Sequence, residues 1–71
     1  RSYNKIKEIT GHAPADYVRN VRLNRALVLL MSRKYTVAEV ADMTGFSDPK
    51  YFGIVFKKYY GGSPTKYINN L

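Results

Sequence analysis

Thr36-Val37-Ala38-Glu39-Val40-Ala41-Asp42-Met43-Thr44-Gly45-Phe46-Ser47-Asp48-Pro49-Lys50-Tyr51-Phe52 holds two helix starts separated by a glycine stop. Thr36 and Glu39 stand at capping-box spacing, in which the hydroxyl accepts from the Glu39 backbone N–H and the carboxylate accepts from the Thr36 N–H. Such a start stabilises a helix by ~1 kcal/mol. Val37, Val40 and Ala41, with Met43 or Thr44, follow at helical spacing. Gly45 then supplies the positive φ that a tight turn requires. Asp48 (or Ser47) caps the next helix, with Pro49 at its first position, where a missing N–H costs nothing. Phe52, Val55, Phe56 and Tyr59 recur at i, i+3, i+4 and i+7 as one apolar stripe, and Gly61-Gly62 ends the run. A short helix, a glycine turn and a longer helix describe a helix-turn-helix over residues 36–60, with Ala41 small enough to let the two helices approach.

The side opposite that stripe carries Lys50, Ile54 and Lys57, with Gly53 and Lys58 on its flanks and no acid among them. A helix lying in the major groove presents its N-terminal residues to base edges. Ser47, Asp48, Lys50, Tyr51 and Ile54 are therefore the candidate base readers. Lysine pairs with guanine acceptors, and isoleucine packs on a thymine methyl. Lys57 and Lys58 lie further along and suit phosphates. The plainer alternatives are solvated lysines and an Asp48 that only caps. The aromatic stripe reads as core and not as a base-stacking platform.

Working upstream, Ile6–Asn20 can be laid on Phe56–Asn70 at an offset of fifty. Lys7, Gly11, Pro14, Tyr17 and Asn20 fall on Lys57, Gly61, Pro64, Tyr67 and Asn70. Gly closes a helix and Pro opens the next in both halves. By this offset the segment from Tyr3 to Thr10 is the recognition helix of a first helix-turn-helix, with Tyr3, Asn4 and Lys7 outward. Residues 1–13 are then the remnant of that unit, whose leading helix is absent. Ser2 falls on the core position Phe52, so residues 1–5 read as a discontinuous end.

Residues 14–33 form the expected linker helix, starting with Pro14 at its first position and running to about Ser32. Tyr17, Val18, Val21, Leu23, Ala26, Leu27, Leu29 and Leu30 cover more than one stripe, as in a strut packed on two sides. Its length of about 28 Å follows from 1.5 Å per residue. That would hold two recognition helices close to one turn of B-DNA apart, ~34 Å. Arg19, Arg22 and Arg25 lie along it at i, i+3 and i+6 and are candidate phosphate contacts, while Arg22 equally suits a bridge to Glu39 or Asp42. In 63–71, Ser63 caps a closing helix that returns Tyr67, Ile68 and Leu71 to the core. The fold predicted is all-α, a truncated double helix-turn-helix with one complete unit and the second half of another.

Composition agrees with a polyanionic partner. Twelve Lys and Arg against five Asp and Glu give +7 over 71 residues, with a pI near 9.9. Double-stranded nucleic acid is the first expectation and an anionic membrane surface the second. So short a chain is a single domain, near the lower limit for one unaided core. Cysteine is absent, which removes disulfides and thiolate metal sites and fits the cytoplasm. The longest apolar run, Ala26–Met31, falls far short of the roughly 18 residues of a membrane span. Arg1-Ser2 does not begin a signal peptide, and the missing initiator methionine suggests an excised piece. His12, the sole imidazole, follows Gly11 in a loop without a nucleophile to serve. No enzyme, metal site or cofactor is expected. The alternative function is a helical protein-interaction or oligomerisation module, with self-association through Ile6, Ile9 and strut surface exposed by truncation.

Arg22-Leu23-x-x-Ala26-x-x-Leu29-Leu30, Val37-x-x-Val40-Ala41-x-x-x-Gly45-Phe46 and Tyr51-Phe52-x-x-x-Phe56-Lys57-Lys58-x-x-Gly61-x-Ser63-Pro64-x-x-Tyr67 together resemble the AraC/XylS family of transcription regulators. The resemblance covers nearly the whole chain. It implies an all-helical C-terminal domain with two helix-turn-helix units joined by a long helix. It also implies bacterial promoter binding and activation through RNA polymerase. Lys5–Gly11 and Lys57–Gly61 resemble the output domains of hybrid two-component sensors, which would allow a membrane-anchored full-length protein.

Overall fold

The computed structural model describes residues 14–70. These residues form α1 (Ala15–Ser32), α2 (Val37–Met43), α3 (Pro49–Tyr60) and α4 (Pro64–Asn69), with no strand among them. The expected helix from Tyr3 to Thr10, and Leu71, lie outside the described residues.

The strut α1 is 18 residues long, which gives about 27 Å. Pro14 stands at its N-cap and not inside the first turn, because ψ of 146° is extended backbone. Its carbonyl still accepts from the Val18 N–H at 3.0 Å. Leu23, Ala26 and Leu30 are buried, with Leu27 and Leu29 packed beside them. The second apolar side expected of the strut is open: Val21 is 40 % and Val28 68 % exposed. Among the described residues the strut packs along one side. It ends without glycine, on Arg33 at φ 61°, whose N–H donates to the Leu30 carbonyl at 3.1 Å. The Arg33 guanidinium reaches the Ile68 carbonyl at 3.4 Å, a cation near the C-terminus of α4, where the helix dipole favours it.

The capping box at α2 forms as the spacing predicts. The Thr36 N–H donates to the Glu39 carboxylate at 2.8 Å, and the Glu39 N–H donates to the Thr36 hydroxyl at 3.1 Å. At its other end Gly45 sits at φ 90°. Gly45 N–H donates to the Asp42 carbonyl at 3.2 Å and Phe46 N–H to the Ala41 carbonyl at 2.9 Å. This paired pattern is a Schellman termination, and it turns the residue after the glycine back onto the helix. Phe46 thereby enters the core beside Ala41. Thr44, the one buried polar residue among the described residues, donates its hydroxyl to the Val40 carbonyl at 2.7 Å.

Asp48 caps α3 by accepting from the Lys50 N–H at 3.0 Å, with Pro49 in the first turn. Ser63 caps α4 in the same way, through the Lys66 N–H at 3.2 Å. The core is Leu23, Ala26 and Leu30 of α1, Val40 and Ala41 of α2, then Phe46, Phe52, Val55 and Phe56. Its aromatic members form a continuous ladder: Phe46 to Phe52 at 5.0 Å, Phe52 to Phe56 at 5.8 Å, Phe56 to Tyr60 at 4.5 Å. Tyr67 of α4 closes it edge-on to Phe56 at 5.6 Å.

One member of the expected stripe changes. Tyr59 is 44 % exposed, and Tyr60 packs in its place. The Tyr60 hydroxyl donates to Asn24 Oδ1 at 3.2 Å. Burial, and secondarily the Tyr67 phenol, raises its pKa above 10.0. A period of 3.6 residues puts both tyrosines near the seam. Only the arrival of α4 and Asn24 on one flank decides between them.

Candidate nucleic-acid interface

Phe52 and Phe56 are wholly inaccessible to solvent, so α3 cannot rotate about its axis without opening the core. Its opposite side is thereby fixed outward. Lys50, Tyr51, Ile54, Lys57 and Lys58 are all exposed there. Ile54 is a large apolar group 64 % exposed, and Tyr51, whose ring meets Phe46 at 6.5 Å between centroids, is still 56 % exposed. Exposed apolar atoms among cations suit a partner that is both charged and able to bury a side chain.

Ser47 and Asp48 are exposed at the N-terminal end of the same helix. One Asp48 oxygen is engaged by the cap. The structure therefore brings together seven of the expected residues: Ser47, Asp48, Lys50, Tyr51, Ile54, Lys57 and Lys58. Tyr3, Asn4 and Lys7 lie outside the described residues.

Arg19 is placed differently. Its guanidinium carbon lies 4.2 Å from the Tyr59 ring centroid, a cation–π stack. Its Nη2 donates to Asn20 Oδ1 at 3.2 Å, and its Nε is buried without an acceptor. Arg19 thus lies along one edge of α3, against the ring of Tyr59, which Lys58 Nζ also approaches, at 5.5 Å from its centroid.

Arg22 corrects a sequence expectation. It makes no ion pair with Glu39 or Asp42 and rests instead over the Gly45 backbone. Glycine leaves room there that a carboxylate contact would have drawn the guanidinium away from. Sequence reasoning also gave Gly53 no role. A Cβ at Gly53 would meet nothing within 4 Å, so the protein's own packing does not require it. The signal was present: mid-helix glycine costs about 1 kcal/mol against alanine.

A family model described as a helix-turn-helix domain matches residues 1–70. The chain belongs to this AraC-type helix-turn-helix family. The histidine kinase P4 of Formosa agariphila is 36 % identical over 67 residues, covering 94 % of this chain and 5 % of that protein. The transcriptional activator RhaR of Pectobacterium atrosepticum is 39 % identical over 64 residues, covering 90 % of this chain and 22 % of RhaR. Among solved structures, the C-terminal domain of the two-component response regulator yesN from Fusobacterium nucleatum matches with a TM-score of 0.77 and 33 % identity. That match covers 93 % of this chain and 64 % of the other. The chain thus spans less than a quarter of the RhaR and kinase lengths.

AraC-type domains are DNA-binding parts of transcription regulators and not an enzyme class. Among the described residues no acidic or imidazole cluster could hold a metal. No helix among them is long and apolar enough to cross a membrane.

Proposed function

We propose that this AraC-type domain reads double-stranded DNA through the outer side of α3, as the C-terminal part of a bacterial transcription regulator. Lys50, Tyr51 and Ile54, with Ser47 and Asp48 at the helix entrance, address base edges, while Lys57 and Lys58 hold phosphates. Arg19 adds a cation from the strut. In the same reading residues 1–13 carry the recognition helix of a first unit, with Tyr3, Asn4 and Lys7 outward. Residues 14–33 link the units, 36–60 are the second unit and 63–71 close the domain.

The observation that carries this is the fixed orientation of α3, with Phe52 and Phe56 buried and Ile54 and its neighbouring lysines exposed. The relatives RhaR and histidine kinase P4 support two settings for the longer protein: a promoter activator that recruits RNA polymerase, or the output end of a hybrid sensor. The domain acts in the cytoplasm in both, anchored to the membrane in the second. Self-association of the 71-residue chain through the exposed strut surface at Val21 and Val28 is the alternative partner reading.

The test is a salt titration of duplex binding. Each neutralised phosphate contributes about −0.9 to the log–log slope. Lys57→Ala is expected to remove about one such increment and weaken all sequences alike. Lys50→Ala is expected to alter sequence preference by ~1–3 kcal/mol. Binding that ignores salt, or no binding to duplex at all, overturns the reading.

A further inference from the structure

The strut meets the helix-turn-helix at an open cleft of about 490 Å³, whose lining includes Arg19, Arg22, Gly45, Ser47, Tyr51 and Val55. Among the described residues, arginines are its only charged lining groups and no acid lines it. A Cβ built on Gly45 would stand 3.1 Å from Arg22 Nε and 3.3 Å from its Cζ. The guanidinium is therefore laid against bare backbone at the turn between α2 and α3. A guanidinium carries five N–H donors in a planar fork. Among the described residues those of Arg22 meet no hydrogen-bond acceptor and no carboxylate. Arg19 stands one turn earlier on the strut, held over Tyr59.

We propose that Arg22, backed by Arg19, is a seat for one DNA backbone phosphate at the junction of strut and recognition helix. Three features point to a phosphodiester. The planar fork matches two phosphate oxygens at once. The rim of the cleft includes Ser47 and Tyr51, the DNA-reading end of α3. The two positive charges, 19 and 22, have no acid among the described lining residues to neutralise them. A phosphate bound here ties the strut to the same duplex segment that α3 reads, and so fixes the depth and tilt at which α3 enters the groove. Such a contact positions the protein and carries no sequence information of its own. The inference rests on the DNA-reading orientation of α3 proposed above.

The experiment compares the 71-residue chain with its Arg22→Gln and Arg22→Lys variants on two probes. One is a duplex selected from a random library by the wild-type chain, the other a mixed-sequence duplex of equal length. Wild-type preference for the selected duplex tests the reading of α3 and is scored first. Arg22→Gln is then expected to weaken both probes equally, roughly tenfold, the size of one charge-assisted contact. Its salt slope should flatten by ~0.9, and Arg22→Lys should recover that slope. A scan replacing single phosphates with neutral methylphosphonates should find one position that weakens wild type and leaves Arg22→Gln unaffected. A weakened Arg22→Gln whose salt slope is unchanged would mean that Arg22 only packs on the turn, and overturns the seat. So does a scan without a distinguishing phosphate.

Discussion

Phe52 and Phe56 are wholly buried on one side of α3, while Tyr51 and Ile54 on the other side of the same helix are 56 % and 64 % exposed. Both sides carry aromatic and branched apolar residues, so hydrophobicity alone does not separate them. The buried side is determined by the chain itself, through the ladder from Phe46 to Tyr67. The exposed side is only partly determined by the chain, through Tyr51 beside Phe46 and Lys58 beside Tyr59, whereas Ile54 acquires a physical reason when a partner is present. Stability therefore belongs to one side and recognition to the other, and substitutions should separate the two.

The largest effect is expected where the helix is anchored. Phe56 touches Phe52, Tyr60 and Tyr67 within 4.5–5.8 Å. Phe56→Ala should cost about 3–5 kcal/mol, as truncations of buried aromatics do. A domain of this size has little stability to spare, so thermal unfolding followed by circular dichroism should show it largely unfolded at 25 °C. DNA binding should disappear with it. A folded Phe56→Ala domain would mean that the ladder does not hold α3, and the fixed orientation of the lysine side would lose its basis.

A smaller effect is expected at the turn, where both sides depend on one residue. Gly45 lies at φ 90°, in the left-handed half of the map. Any side chain there is strained by about 1–3 kcal/mol. Gly45→Ala also brings its methyl within 3.1 Å of Arg22 Nε. Chemical denaturation should register the strain, and the displaced guanidinium should flatten the salt slope of DNA binding. A Gly45→Ala variant as stable as the parent would show that the turn relaxes freely and that α2 does not fix the entrance of α3.

Much of this was legible in the sequence because its local signals agree with one another. Thr36 with Glu39, Gly45, Asp48 with Pro49, and Ser63 with Pro64 each satisfy backbone groups within a few residues, so spacing alone reveals them. The features that escaped depend on partners distant in the chain. Arg33 takes a left-handed conformation without being glycine, and its guanidinium reaches Ile68 in α4. Tyr60 displaces Tyr59 from the core because Asn24 and Tyr67 lie on its flank. Arg22 lies on Gly45, where charge pairing suggested Glu39 or Asp42. In the candidate interface, charge and periodicity identified the outer lysines, whereas nothing local indicated that Arg19 would stack on Tyr59.

The smallest effect expected is the most discriminating, because it should move the two properties in opposite directions. Gly53 lies in the middle of α3, three residues after Lys50 and four before Lys57, and so beside both on the helix surface. A Cβ there would meet nothing within 4 Å, so alanine adds helix propensity without a clash. Gly53→Ala should stabilise the domain by about 0.8–1.0 kcal/mol, raising Tm by roughly 4–8 °C for a domain of this size. A helix that worked alone would gain nothing from keeping the glycine. If the duplex approaches α3 closely between the two lysines, the added methyl occupies that space, and affinity should fall while Tm rises. Calorimetry and binding on one sample measure both. A rise in both Tm and affinity would place the closest approach elsewhere on α3, towards Tyr51 and Ile54.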